Sequence, residues 1–223
     1  MDFQLFALPF GGGNRYSLNS LRKCLPEHVE FIPLELPGRG ERMDDPLLDN
    51  SPDLVADVYK QMIPLIDAPY ALFGHCMGAL LCFLVARRMA DEKRALPSHL
   101  FVSGCPSPST LKKEPAMELS DEDVKTTLLS FGTAEALLHN PSFLEMIQPI
   151  VQADFRVVGQ YTYEKHSPLE MPITVILEKN YPLSREEALL WQKETVSPIS
   201  VFQLGRGIKE VSPELTDFFK SKI

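Results

Sequence analysis

The pentapeptide Gly74-His75-Cys76-Met77-Gly78 stands between two segments of different pattern. Before it, residues 69–73 form a short apolar run of strand-forming type, and after it the apolar residues from Ala79 to about Met89 recur at helical spacing. Strand, Gly-x-Cys-x-Gly and helix in succession predict a sharp turn, in which glycine removes side chains that would clash. We therefore expect the Cys76 side chain to be exposed at the end of a strand.

A strand-turn-helix of this kind is built for acyl transfer by an exposed nucleophile. A thiol at position 76 also lies at the start of the predicted helix, where the helix dipole favours the thiolate over the thiol. The glycine run Gly11-Gly12-Gly13 follows the first apolar segment and could bring backbone amides close to a developing oxyanion. A plain tight turn is the alternative interpretation of that run.

The composition of the chain excludes several classes of protein. At 223 residues and 44% hydrophobic, the chain can bury one substantial core, and we expect a single domain over residues 1–223. The net charge of -8 argues against nucleic-acid and membrane partners. A signal-peptide pattern and apolar runs near ~20 residues are both missing, which predicts a cytoplasmic protein. The cysteines at 24, 76, 82 and 105 are too scattered for a metal site.

Strand and helix patterns alternate along the whole chain. Strands are predicted at 3–10, 29–36, 70–74, 99–104, 173–177 and 199–204, and helices at 51–66, 78–90, 184–194 and 213–220. This alternation predicts an α/β fold with a mostly parallel sheet flanked by helices. Residues 109–165 are predicted as a helical insertion, either a lid over an acyl-binding pocket or an additional helical layer.

Several motifs together resemble the type II thioesterases, stand-alone α/β-hydrolases that act beside non-ribosomal peptide and polyketide synthases. The similar segments are Leu8 to Gly13, Leu36 to Arg42, the Gly74 to Gly78 turn, and Pro149 to Phe155 followed by Tyr161 and Tyr163. The resemblance covers nearly the whole chain. Arg39 and Arg42 in the second segment are expected to shape and charge a surface loop rather than contact substrate, although a phosphopantetheine phosphate would suit one of them.

The resemblance implies an α/β-hydrolase fold with a helical lid, and chemistry on small acyl thioesters carried by the phosphopantetheine arm of an acyl or peptidyl carrier protein. No cofactor or metal of its own is implied. Cys76 would be the nucleophile in place of serine. The oxyanion donors would be the backbone N–H groups of Met77 and of Phe10 or Gly11.

Two positions of the family's catalytic triad depart from its pattern. Where the family has an aspartate, this chain has the segment Glu178-Lys179-Asn180-Tyr181, and where it has a histidine, this chain has Gly205-Arg206-Gly207. Losing a triad member costs roughly 10⁴- to 10⁶-fold in rate with a serine nucleophile, whereas a cysteine is already a few per cent thiolate at neutral pH. A cysteine nucleophile is therefore compatible with an incomplete triad, because it depends less than serine on a base.

Substitute groups for the missing base are predicted among Lys179, Asn180, Tyr181, Arg206 and His166, while His75 should project away from its neighbour Cys76. Three functions remain open on the sequence. The first is a thioesterase that hydrolyses a Cys76 acyl-enzyme, the second a Cys76-dependent acyl or aminoacyl transferase between carriers or to an amine, and the third a non-catalytic protein that binds carrier proteins.

Overall fold

The computed structural model describes residues 2–114, 118–179, 181 and 183–223. Its centre is a six-stranded sheet in which every neighbouring pair of strands is parallel. The strands lie in the order β2-β1-β3-β4-β5-β6. Their bounds are β1 Phe3–Leu8, β2 Val29–Pro33, β3 Tyr70–His75, β4 His99–Ser103, β5 Ile173–Glu178 and β6 Ser200–Leu204.

Helices connect successive strands, as parallel pairing requires. They are α1 Asn19–Arg22, α2 Ser51–Met62, α3 Met77–Asp91, α4 Asp121–Ser130, α5 Glu135–Leu138, α6 Pro141–Gly159, α7 Arg185–Leu189 and α8 Pro213–Lys222. The α/β prediction is confirmed, and the predicted strands and helices are present with shifted ends. The predicted strand 29–36, for example, ends at Pro33.

The sheet separates two hydrophobic layers. In β3, Leu72 packs toward α2 and α3, while Ala71 and Phe73 pack toward α8 on the other face. This alternation follows from the two-residue period of a strand, and burial on both faces explains why β3 reads as a continuous apolar run. The single tryptophan, Trp191, is fully buried in the α3 layer and donates from its indole N–H to the Cys105 carbonyl, 3.0 Å away.

The segment predicted as a lid holds α4, α5 and α6 between β4 and β5. Its helices share a third apolar cluster, which includes Val124, Leu128, Leu138 and Val151 and is separate from the two layers of the sheet. The function of this segment as a lid stays a prediction. Over the described ranges, the chain has no helix long and apolar enough to cross a membrane.

Candidate active site

Cys76 occupies the turn between β3 and α3 in a strained backbone conformation, with φ 52° and ψ -119°. Its amide donates to the Ser103 carbonyl on the neighbouring strand, 2.8 Å away. Positive φ costs a non-glycine residue roughly 1–2 kcal/mol, so the strand and helix on either side must hold it there. Strain of this kind is concentrated at functional sites.

The glycines on either side of the turn are required by backbone contacts. A Cβ at Gly74 would lie 2.3 Å from the Gly78 carbonyl oxygen, and a Cβ at Gly78 would lie 2.3 Å from the Leu8 carbonyl oxygen. Both obstacles are main chain, which cannot rotate away. The Gly-x-Cys-x-Gly spacing is therefore what allows α3 to start directly against β1 and β3.

Three donors surround the Cys76 sulfur. The backbone N–H groups of Met77 and Gly11 act on it as donors that lower its pKa, and the Tyr181 hydroxyl donates to it over 3.6 Å. Burial raises the pKa of the Cys76 thiol, and the three donors offset this only in part. This contradicts the sequence-based expectation of a favoured thiolate, because loss of hydration outweighs the hydrogen-bond donors around the sulfur.

The sulfur lies on the wall of a cavity of about 640 Å³. The cavity runs between the Cys76 turn, the loop after β4, and the helices α4 and α6. Its apolar lining comes from Leu111, Phe131, Phe155, Val158 and Tyr181, while Lys112 and Glu114 contribute charges. A volume of this size accommodates an acyl chain together with the end of the arm that carries it.

Glu178, at the end of β5, anchors a polar cluster next to the turn. Its carboxylate accepts from the Ser103 hydroxyl at 2.5 Å and from the Ile208 N–H at 2.7 Å. The Nδ1 atom of His75 lies 3.1 Å from Glu178 Oε1, at an angle that departs from a regular hydrogen bond. Burial raises the pKa of Glu178, but His75, Ser103 and Ile208 outweigh burial, so the pKa is lowered. The carboxylate is thus the charged form.

The glycine loop after β1 is fixed by a buried ion pair. Asp154 of α6 accepts from the Gly12 N–H at 2.6 Å and pairs with Arg39 through two hydrogen bonds of 2.5 and 2.8 Å. Arg39 is 2% exposed, so the expectation that it belongs to a surface loop is wrong. It is drawn inward because a buried carboxylate needs a paired cation.

A family model described as the thioesterase domain matches residues 3–208. The chain belongs to this thioesterase family. It is 33% identical over 201 residues to the gramicidin S biosynthesis protein GrsT of Aneurinibacillus migulanus, covering 89% of this chain and 78% of that protein.

Two thioesterases of known structure have the same fold as this chain. The type II thioesterase BorB of the borrelidin biosynthetic cluster is 28% identical, with a TM-score of 0.81 over 93% of this chain and 86% of BorB. RedJ, a thioesterase of the prodiginine pathway in Streptomyces coelicolor, is 26% identical, with a TM-score of 0.83 over 98% of this chain and 84% of RedJ.

Of the predicted site residues, this thioesterase-family structure brings together Cys76, Met77, Gly11 and Tyr181. Phe10 lies beside them, where its ring stacks on Phe131 at 4.5 Å.

The other predicted groups lie elsewhere. Lys179 and Arg206 are exposed, and Arg206 Nη1 lies 4.0 Å from Glu210. His166 lies against Tyr163 and lines a separate groove with Arg87. Asn180 is outside the described residues. Across the described part of the chain, no group of three His, Cys, Asp or Glu side chains could hold a metal ion.

Sequence reasoning missed Glu178 as the carboxylate of the site and Lys209 as its nearby cation. Lys209 Nζ lies 3.7 Å from the centroid of the Phe10 ring and donates to the Phe131 carbonyl. Burial lowers the pKa of Lys209 to about 8. A signal for Glu178 was available, since it is an acidic residue at the end of a strand. Lys209 had no comparable signal, because its position depends on how the loop after β6 folds.

Proposed function

We propose that this protein is a type II thioesterase-like enzyme of non-ribosomal peptide or polyketide biosynthesis. Its substrates would be acyl thioesters on the phosphopantetheine arm of an acyl or peptidyl carrier protein, processed through a Cys76 acyl-enzyme. One observation carries the proposal: the Cys76 sulfur meets two backbone N–H groups and the Tyr181 hydroxyl on the wall of a 640 Å³ cavity. The biosynthetic setting is supported by its similarity to GrsT, BorB and RedJ, which belong to the gramicidin S, borrelidin and prodiginine pathways.

The acylation step exchanges one thioester for another. The Cys76 sulfur attacks the acyl carbonyl, and the N–H groups of Met77 and Gly11, which act as donors toward the sulfur, would stabilise the oxyanion. When the tetrahedral intermediate collapses, the bond to the pantetheine sulfur breaks, and that sulfur takes up the proton lost by Cys76. The step uses no cofactor beyond the arm of the substrate.

Tyr181 is proposed to assist this exchange as a hydrogen-bond donor. Burial raises the pKa of Tyr181 above its ordinary value, so the hydroxyl keeps its proton at physiological pH. A protonated hydroxyl stabilises a thiolate, whether that of Cys76 or of the departing arm. The ring of Tyr181 lies edge-on against His75, with 5.9 Å between the ring centroids.

Acyl transfer is the second candidate, and one observation favours it. Among the described side chains, the polar group in contact with the Cys76 sulfur is the Tyr181 hydroxyl, which is a donor at neutral pH. Attack by water needs a base to accept its proton, whereas a thiol or amine acceptor is a better nucleophile. We therefore expect deacylation to be the slow step, faster with a small thiol than with water.

Intact-mass spectrometry with an acyl-loaded carrier protein tests these proposals. A wild-type adduct of the acyl mass that is lost in Cys76→Ala supports the acyl-enzyme. Release of free acid then indicates hydrolysis, and movement of the acyl group to added cysteamine indicates transfer. If neither adduct nor turnover occurs across short, medium and branched acyl chains, the acyl-enzyme proposal fails and carrier binding alone remains.

A further inference from the structure

A buried ion pair joins three segments that meet at the candidate site. Asp154 belongs to α6, Arg39 to the loop after β2, and Gly12, which donates to the same Asp154 oxygen as Arg39, to the loop after β1. The side chains of Asp154 and Arg39 are 0% and 3% exposed. The pair is therefore shielded from solvent. In such a buried environment the attraction between paired charges is strong, and an unpaired charge is costly.

The glycine loop lies directly against α6. A Cβ at Gly11 would lie 3.3 Å from the Asp154 Cβ, and a Cβ at Gly12 would lie 2.8 Å from Val151. Gly12 also has φ +78°, a conformation that favours glycine. The peptide that carries the Gly11 N–H toward the sulfur is therefore set by the position of α6.

Resting on the proposed Cys76 chemistry, we propose that Asp154, neutralised by Arg39, is a positioning residue that aims the Gly11 N–H at the reacting carbonyl oxygen. The oxyanion site is then complete only when α6 is seated on the glycine loop. This assigns to the predicted lid segment a part in assembling the site as well as in covering it.

The charges explain why the aspartate needs the arginine. A lone carboxylate close to Cys76 would oppose the negative charge that develops on the substrate oxygen. The bidentate Arg39 fork cancels that charge and fixes the orientation of the carboxylate toward Gly12. Removing Asp154 would leave both a buried guanidinium and the Gly12 N–H without their acceptor.

A merely structural cross-link would also be disrupted by mutation, so the test needs a local readout. The variants are Asp154→Asn, Arg39→Met and the conservative Arg39→Lys. The matched control is Asp57→Asn, which breaks the bidentate Arg42–Asp57 pair between the loop after β2 and α2. Urea unfolding measures how much stability each variant loses.

Two readouts report on the glycine loop. The first is amide hydrogen exchange and ¹⁵N shifts of Gly11 and Gly12 in the free protein, which need no acyl chemistry. The second is the infrared carbonyl stretch of a ¹³C-labelled acyl group on Cys76. Losing one oxyanion donor slows catalysis by roughly 10²- to 10³-fold.

For Asp154→Asn and Arg39→Met, we expect faster exchange at Gly12, a shifted Gly11 amide, a carbonyl stretch at higher frequency, and acylation slowed by about 10²-fold with KM little changed. Arg39→Lys should recover part of each effect, and Asp57→Asn should change none. If Asp154→Asn does not fold, the two Arg39 variants carry the comparison.

The outcomes separate the two proposals. Gly11 and Gly12 amides that match the wild type in every folded variant overturn the positioning proposal, even if activity falls. An acylated variant whose carbonyl stretch equals the wild-type value overturns it as well. If the wild-type protein forms no adduct, the acyl-enzyme proposal fails instead. The amide exchange and shifts of Gly11 and Gly12 then still test whether Asp154 positions the glycine loop.

Discussion

Replacing Tyr181 by phenylalanine should change the reactivity of Cys76 in a way that reverses with pH. The Tyr181 hydroxyl donates to the sulfur over 3.6 Å and holds down a thiol pKa that burial raises. Hydrogen bonds to charged groups contribute about 1.5–3 kcal/mol, and this long contact belongs at the lower end. We therefore expect Tyr181→Phe to raise the pKa of Cys76 further, by about one unit.

The expected rates follow from two opposing effects. Below the pKa, a one-unit increase lowers the thiolate fraction about tenfold. The remaining thiolate is a better nucleophile, by about threefold for a Brønsted coefficient of 0.4–0.5. Alkylation by iodoacetamide at pH 7.5 should therefore be about three to four times slower in the variant. At a pH where both thiols are ionised, the variant should be about three times faster.

The assay is the rate of iodoacetamide labelling from pH 6 to 11, with Cys76→Ala giving the background from Cys24, Cys82 and Cys105. Tyr163→Phe is the matched control, because its hydroxyl donates to Glu194 at 3.2 Å. Superimposable wild-type and Tyr181→Phe profiles, or a profile displaced toward lower pH, would refute this reasoning.

Two predictions concern stability and are both measured by urea unfolding. Gly78→Ala places a Cβ 2.3 Å from the Leu8 carbonyl oxygen and should cost about 3 kcal/mol or more. Gly132→Ala, at φ +76° with open space around it, should cost only about 1 kcal/mol, and equal losses would contradict the steric argument. Glu178→Gln should destabilise the protein at pH 7 but progressively less toward pH 3, since a carboxyl whose pKa is lowered despite its burial stabilises the fold only while ionised. A difference that is constant with pH would show that Glu178 acts without its charge.

The strands and helices could be predicted from the sequence because their signals are local. Burial on both faces makes β3 a continuous apolar run, and the glycines at 74 and 78 mark the turn that the structure contains. The network around Glu178 could not be predicted in this way. Ser103 and Ile208 reach the Glu178 carboxylate from 75 and 30 residues away, and they meet only through the pairing of β4, β5 and β6.

The pKa of Cys76 shows a second limit of local reasoning. The turn places the thiol at the start of α3, which by itself favours the thiolate. The hydration of the sulfur is set instead by the loop after β4 and by α4 and α6, which are distant in sequence and close the cavity around it. Arg39 was misjudged for the same reason, because its partner Asp154 lies 115 residues away.

The position of Trp191 gives the protein an internal optical probe. It is the single tryptophan of the chain, and its indole N–H donates a hydrogen bond to the Cys105 carbonyl. Cys105 lies two residues after Ser103, whose carbonyl accepts the hydrogen bond from the Cys76 amide. Indole emission responds to the strength of that hydrogen bond and to the packing of Phe83 against the ring. We therefore expect a movement of the Cys76 turn to change Trp191 emission, which stopped-flow fluorescence would measure in the unlabelled protein.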